Sequence, residues 1–198
     1  MEFKEVERGI KLNFGELYRV SDGGFEQGYE QGLAQLRARC DLSIVEYQDK
    51  NLTTLGDYAF FSCSQLRTVD IPNCTTIGNY AFQYCSAIEY LSFPNVVTVG
   101  QAYSYAFSRC SNLKTIDFGK AENIGGYAFQ LCGALETLII RTPTVCSLGG
   151  VSAINSSGIH NKNNATIYVP DELVEEYKVA TNWSNYASKI KPLSELGE

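Results

Sequence analysis

Residues 76–95 read TIGNYAFQYCSAIEYLSFPN, and the same string returns in altered form on both sides. The pair Ala81-Phe82 has counterparts in Ala59-Phe60, Ala106-Phe107 and Ala128-Phe129, with spacings of 22, 25 and 22 residues. Cys85 recurs as Cys63, Cys110 and Cys132, and Ile88 as Leu66, Leu113 and Leu135. Two more columns hold Leu91 with Val69, Ile116 and Leu138, and Phe93 with Ile71, Phe118 and Ile140. Ahead of the pair lie Leu55-Gly56, Ile77-Gly78, Val99-Gly100 and Ile124-Gly125. The third unit carries its extra residues within GQAYSYAF (100–107). Agreement of so many columns over four units marks an internal repeat.

Each unit has the pattern h-G-x-x-A-F-x-x-C-x-x-L-x-x-h-x-h, with h apolar. In LRTVDIP (66–72), Val69 and Ile71 alternate with Thr68 and Asp70, the period of a half-buried strand. In GDYAFFSC (56–63), Ala59, Phe60 and Cys63 recur at helical spacing, which predicts one short helical turn facing inward. Glycine ahead of that turn, and proline or glycine near the strand ends, let the chain reverse. One unit cannot bury its apolar edge alone, so the units must stack and share a core.

The strings TIGNYAFQYCSAIEYLSFPN and NIGGYAFQLCGALETLII (123–140) resemble the BspA-like leucine-rich repeats. The resemblance runs from about Leu42 to Pro170. It implies an α/β fold: a right-handed leucine-rich-repeat solenoid of short parallel strands and short helical turns, with helical caps at both ends. It also implies a non-enzymatic binding or adhesion role without a cofactor, often in secreted or cell-surface proteins.

Three regions are expected. Residues 1–41 form an N-terminal arm and capping helix, 42–147 the repeats, and 148–198 an irregular last repeat and a C-terminal helical cap, with 24–198 as one structural domain. In GFEQGYEQGLAQLRARC (24–40), Phe25, Tyr29, Leu33 and Leu36 share a helical stripe. LSIVEYQ (42–48) then supplies a first strand through Leu42, Val45 and Tyr47. For residues 148–164, rich in Gly, Ser and Asn, two readings stand open: an irregular fifth repeat or a loop. Ile167, Val169 and Pro170 repeat the strand signature. Asp171 is placed to cap a following helix whose apolar side is Leu173, Val174, Tyr177 and Ala180. A second short helix carries Tyr186 and Ile190, with Trp183 just ahead of it. For residues 1–23 three readings stand open: an extra strand, an arm or an oligomer contact.

The chain has 198 residues, 16 Lys plus Arg against 22 Asp plus Glu, and a net charge of −6. That balance argues against a nucleic-acid partner, which needs a basic face. No apolar run approaches the ~20 residues that span a bilayer, and the first twenty residues show no secretory h-region. The seven cysteines form no C-x-x-C pair and there is one histidine, His160, so no metal site is read. Neighbouring units sit ~4.8 Å apart, within the ~4.4–6.8 Å Cα range of a disulfide. Equivalent side chains run parallel, however, and reduced, stacked cysteines are expected. Cys40, Cys74 and Cys146 fall off the ladder and are expected to be more exposed. His160 reads as a solvent-exposed loop residue. Five N-x-[ST] matches, at Asn51, Asn73, Asn155, Asn164 and Asn182, read as compositional.

Asp70 and Asp117 occupy equivalent positions two units apart, roughly 10 Å at ~4.8 Å per strand. Paired carboxylates of glycosidases fall near such a separation, but with Ser92 between them a solvated strand face is the simpler reading. The outward strand positions are the better binding candidates: Thr68 and Asp70, Tyr90 and Ser92, Thr115 and Asp117, Thr137 and Ile139. Tyr90 is the expected anchor, because tyrosine is enriched at contact hot spots. The expected partner is a protein or glycan. The alternative is a structural or assembly protein, for example a phage-associated one, oligomerising through residues 1–40.

Overall fold

A computed structural model describes residues 44–101 and 103–197. The predicted arm and capping helix, together with Cys40 and Leu42, lie outside the described residues. The rest is a stack of repeats whose turns and two sets of strands run from unit to unit. Five two-residue strands, β2 (Thr54–Leu55), β4 (Thr76–Ile77), β6 (Thr98–Val99), β8 (Asn123–Ile124) and β10 (Ser147–Leu148), form one parallel sheet. A second parallel sheet contains β5 (Tyr90–Phe93), β7 (Thr115–Phe118), β9 (Thr137–Ile140), β11 (Thr166–Val169) and β12 (Ile190–Pro192). β1 (Glu46–Gln48) and β3 (Thr68–Asp70) pair as a separate parallel two-stranded sheet. In-register pairs such as Leu91 with Ile116 and Ile116 with Leu138 keep each repeat column in line.

The predicted helical turn is a tighter structure. Two residues per unit lie in the left-handed region: Tyr58, Tyr80, Tyr105 and Tyr127 before the Ala-Phe pair, and Ser62, Tyr84, Arg109 and Leu131 after it. A left-handed L-residue costs about 1–2 kcal/mol, and it stops an α-helix from propagating. The freed N–H groups bond to the next unit instead. Phe60 donates to the Ala81 carbonyl at 2.7 Å, Phe82 to Ala106 at 2.7 Å, Phe107 to Ala128 at 2.9 Å and Phe129 to Ala153 at 2.8 Å. The turns thus make a third hydrogen-bonded ladder. The helical spacing of Ala59, Phe60 and Cys63 still turns all three inward, and all are buried.

Inside this ladder Phe60, Phe82, Phe107 and Phe129 stack at 5.2, 5.3 and 5.4 Å. Outside it Tyr58, Tyr80, Tyr105 and Tyr127 stack at 4.7, 5.3 and 4.7 Å. Aromatic pairs add ~0.5–1.5 kcal/mol beyond their buried area, which offsets the backbone strain. The thiols of Cys85, Cys110 and Cys132 donate to the carbonyls of Phe60, Phe82 and Phe107, each one unit back, at 3.0, 3.1 and 2.9 Å. Burial pushes the Cys85 and Cys110 thiols well above their ordinary range. Cys63 departs from the expected reduced ladder, because it is disulfide-bonded. Cys74 and Cys146 are not the exposed residues predicted but are fully buried.

Residues 148–164 are an irregular fifth repeat. Ala153 accepts the Phe129 N–H as Ala128 accepts that of Phe107, and Ile154 fills the place of the phenylalanine. Ser157 stands where the other units have cysteine. Its hydroxyl is buried and finds no partner among the described residues. The shorter C–O bond does not carry the donor as far as C–S does. The helix α1 (Gly158–Asn161) follows, with His160 exposed on it.

The first strand differs from the prediction in register. Tyr47 pairs with Val69, not with Ile71, so Ile44 and Tyr47 face the core and Val45 is 42% exposed. After β11 the chain makes a 3-10 turn at Asp171–Leu173, the helix α2 (Val174–Val179) and a 3-10 helix at Trp183–Lys189, where an α-helix was expected. Asp171 caps no helix. Its carboxylate accepts the Ser194 N–H at 3.0 Å. This segment lies on the outermost short strand. The Cys146 N–H donates to the Tyr177 hydroxyl at 2.8 Å, the Trp183 indole N–H donates to the Cys146 carbonyl at 2.6 Å, and the Asn182 amide donates to the Leu148 carbonyl at 2.7 Å. Side chains thereby satisfy an edge that would otherwise offer itself to another chain.

Candidate binding face

The outward strand positions are not equivalent in the folded chain. Thr68, Asp70, Tyr90 and Ser92 are exposed, Thr115, Asp117 and Thr137 half-buried, and Ile139 only 5% exposed. Ile139 is therefore no open contact position. It sits in register between Asp117 and Tyr168, inside the sheet. Asp117 is occupied as well. The Arg141 guanidinium meets its carboxylate in a fork, with Nε at 3.0 Å from Oδ1 and Nη2 at 3.0 Å from Oδ2. The imagined pairing of Asp70 with Asp117 as two free carboxylates therefore does not arise.

The exposed half of the face coincides with a break in the sheet. β3 and β5 are adjacent but belong to different sheets. In the next two units the residue after the strand extends the ladder: Gly119 donates to the Phe93 carbonyl at 3.0 Å and Arg141 to that of Phe118 at 2.9 Å. After β11 it is Pro170, and β9 and β11 pair without this bond. The equivalent residue facing β3 is Pro94, which has no N–H to give the Ile71 carbonyl. A slot of about 580 Å³ opens there, lined by Arg67, Thr68, Val69, Asp70, Pro72, Ala87, Glu89, Tyr90, Ser92 and Pro94. Val69 shows the effect, being half-buried where Leu91, Ile116 and Leu138 are buried.

Charge follows the same division. The position before each strand alternates in sign: Arg67, Glu89, Lys114, Glu136. Lys114 Nζ lies 2.7 Å from Glu89 Oε2, and Lys162 Nζ lies 2.7 Å from Glu136 Oε1. The bond from Lys114 holds the Glu89 carboxyl below its usual range, and that from Lys162 does the same for Glu136. Arg67, at the slot wall, lies outside these pairs. The slot therefore presents Arg67 toward one end and Asp70 toward the other, with Tyr90, 55% exposed, beside them. Four of the eight predicted residues meet here. Arg67, Val69 and Glu89 were not foreseen as part of it. Pro94 alone does not mark the place, since Pro170 follows β11 in the same way and β11 pairs with β9.

Among the described residues no group of three or more His, Cys, Asp or Glu side chains is placed to hold a metal ion. No described helix is long and apolar enough to cross a membrane. A search of curated proteins finds no match. Among solved structures, a leucine-rich repeat protein from Bacteroides ovatus ATCC 8483 is similar at 19% identity and a TM-score of 0.36. That match covers 65% of this chain and 44% of the other, so it spans less than half of that protein. The model of the BspA type leucine rich repeat region matches residues 37–159 in six copies. With its repeat columns, stacked turns and parallel ladders, this chain belongs to the BspA-type leucine-rich repeat family.

Proposed function

We propose that the chain is a non-catalytic binding module that takes a protein or glycan partner in the slot between β3 and β5, with Tyr90 as the anchor. The observation that carries this reading is the local opening of an otherwise continuous face. Among the described residues the ladder is interrupted at one place, and there Thr68, Asp70, Tyr90 and Ser92 stay exposed, beside Arg67 and the Glu89 that pairs with Lys114. Repeat families of this type serve as binding surfaces, and solenoids offer extended ones. Tyr90 brings large contact area at low conformational cost, Arg67 and Asp70 set charge complementarity, and Thr68 and Ser92 supply hydroxyls. The disulfide at Cys63 supports an oxidising compartment and so a secreted or cell-surface setting. No observation on the described residues favours the assembly reading, which rests on residues 1–40.

The test is a paired screen of the full chain and its Tyr90→Ala and Asp70→Asn variants against immobilised matrix proteins, mucins and glycans. The expected result is a ligand whose capture falls roughly tenfold or more in Tyr90→Ala, the loss typical of a hot spot, with the melting temperature unchanged. Ligands held equally well by both variants would remove the slot from consideration.

A further inference from the structure

A second depression lies on the turn side of the stack, away from the strand slot. Ser62, Tyr84, Arg109 and Leu131 line it, at φ values of 63°, 66°, 62° and 61°. Glycine would adopt this conformation at no steric cost, yet each unit keeps a side chain there. The four differ in size, charge and polarity, so the repeat itself demands none of them. Ser64, Ser86 and Ser111 follow two positions later and complete a depression of about 510 Å³.

Its chemistry is simple. Among the described residues Arg109 is the only charged one in the lining, and no carboxylate of theirs lines it. This holds in a chain with 22 acidic and 16 basic residues. The guanidinium lies over the Tyr84 ring, 5.4 Å from its centroid, and Phe61 meets the same ring edge-on at 5.7 Å. Arg109 is thereby held in place without an ion pair among the described residues. Ser64, Ser86 and Ser111 recur at the inter-unit spacing of ~4.8 Å along the solenoid axis, with Ser62 beside the first of them. Among the described residues their hydroxyls bond to no other group.

We propose that this depression binds an acidic saccharide, a chain of sugar units carrying carboxylate or sulfate groups. The guanidinium fork matches the oxygen pair of either anion. Serine hydroxyls both donate and accept, which is what sugar hydroxyls require. Leu131, 40% exposed, and the rim of Tyr84 cover apolar C–H surface. Because Ser64, Ser86 and Ser111 repeat over three units, a polymer lying along the axis meets the same hydroxyl in three successive turns. An acidic peptide is the poorer fit, since it would seek free backbone N–H groups and these are already spent. Ser62 donates to the Gln83 carbonyl, Tyr84 to Ser108 and Arg109 to Gln130.

The proposal is independent of the strand slot, and its test keeps the two apart. The full chain is titrated with oligogalacturonate and with dextran sulfate, followed by amide chemical shifts and calorimetry. Neutral dextran and polyglutamate serve as comparators. Binding of at least one acidic saccharide is expected, with shifts centred on Ser86, Arg109 and Ser111. Arg109→Gln should weaken it roughly tenfold or more, as the loss of a charge-assisted hydrogen bond implies. Arg109→Lys should fall between the two, and Arg67→Gln in the slot should change nothing. The proposal is overturned if neither acidic saccharide binds, if the shifts map elsewhere on the wild-type chain, if folded Arg109→Gln binds as well as wild type, or if polyglutamate binds as tightly as the saccharides.

Discussion

Phe82 lies between Phe60 and Phe107 and is fully buried, so its ring belongs to the core of three units at once. Phe82→Ala should cost about 3–5 kcal/mol in urea unfolding. A loss below about 1 kcal/mol would show that the stack closes over the gap. The cysteines make a different residue-scale statement. The thiols of Cys85, Cys110 and Cys132 fill small apolar places and donate to a carbonyl one unit back, whereas those of Cys74 and Cys146 donate to carbonyls one or two residues ahead. Burial pushes the Cys146 thiol up to about 12 and raises Cys74 and Cys85 above the ordinary 9.0. The folded chain therefore keeps protons that the unfolded chain releases near 9.0, and the unfolded state binds fewer of them. These thiols contribute stability that is fully present below pH 9 and lost as pH rises above it. The denaturation midpoint should fall between pH 8 and pH 10, and the five free thiols of the described residues should resist iodoacetamide until the chain unfolds.

At the scale of the element, two departures from the repeat have opposite senses. Ser157 breaks the thiol ladder and leaves a buried hydroxyl without a partner, which costs about 1–3 kcal/mol. Ser157→Cys should return about 1 kcal/mol or more, read as a higher urea midpoint at unchanged slope. An unchanged midpoint would mean that the hydroxyl is satisfied in solution. Pro94 stands at the open end of the strand ladder beside the slot, where the bond made by Gly119 and Arg141 in later units is missing. Pro94→Ala supplies the missing N–H opposite the Ile71 carbonyl, so the new amide at position 94 should be protected from hydrogen exchange and the slot narrowed. Stability should rise while capture of a slot ligand falls. A freely exchanging amide would place the cause of the break elsewhere. In both cases one residue type decides whether one hydrogen bond of a ladder can form, through the donor it carries and how far that donor reaches.

For the whole molecule, a stack of parallel strands must end somewhere, and here the C-terminal segment meets the end with side chains as well as backbone. Trp183 and Tyr177 both reach Cys146, just ahead of the outermost short strand. Trp183→Phe keeps an aromatic ring but leaves the Cys146 carbonyl unpaired. It should cost about 1–3 kcal/mol in urea unfolding, and an unchanged midpoint would mean that this contact does not hold the end in place. The repeat, its stacking, the inward columns of Phe, Cys and Leu, and the outward row through Tyr90 are all legible in the sequence. A solenoid bonds each unit to its neighbours in register, so a column in the alignment is a column in space. Three things were decided only in three dimensions. Tyr84 and Arg109 read as variable letters, and only the turn geometry brings them to one depression. Ile139 reads as outward, yet the neighbouring strands bury it. The slot needs a missing hydrogen bond between two strands whose patterns look alike. Periodicity fixes which side chains repeat, because burial must be uniform along the stack. Where the stack opens depends on how neighbouring strands pair and on side chains brought together from different units, and no column of one-letter codes contains those.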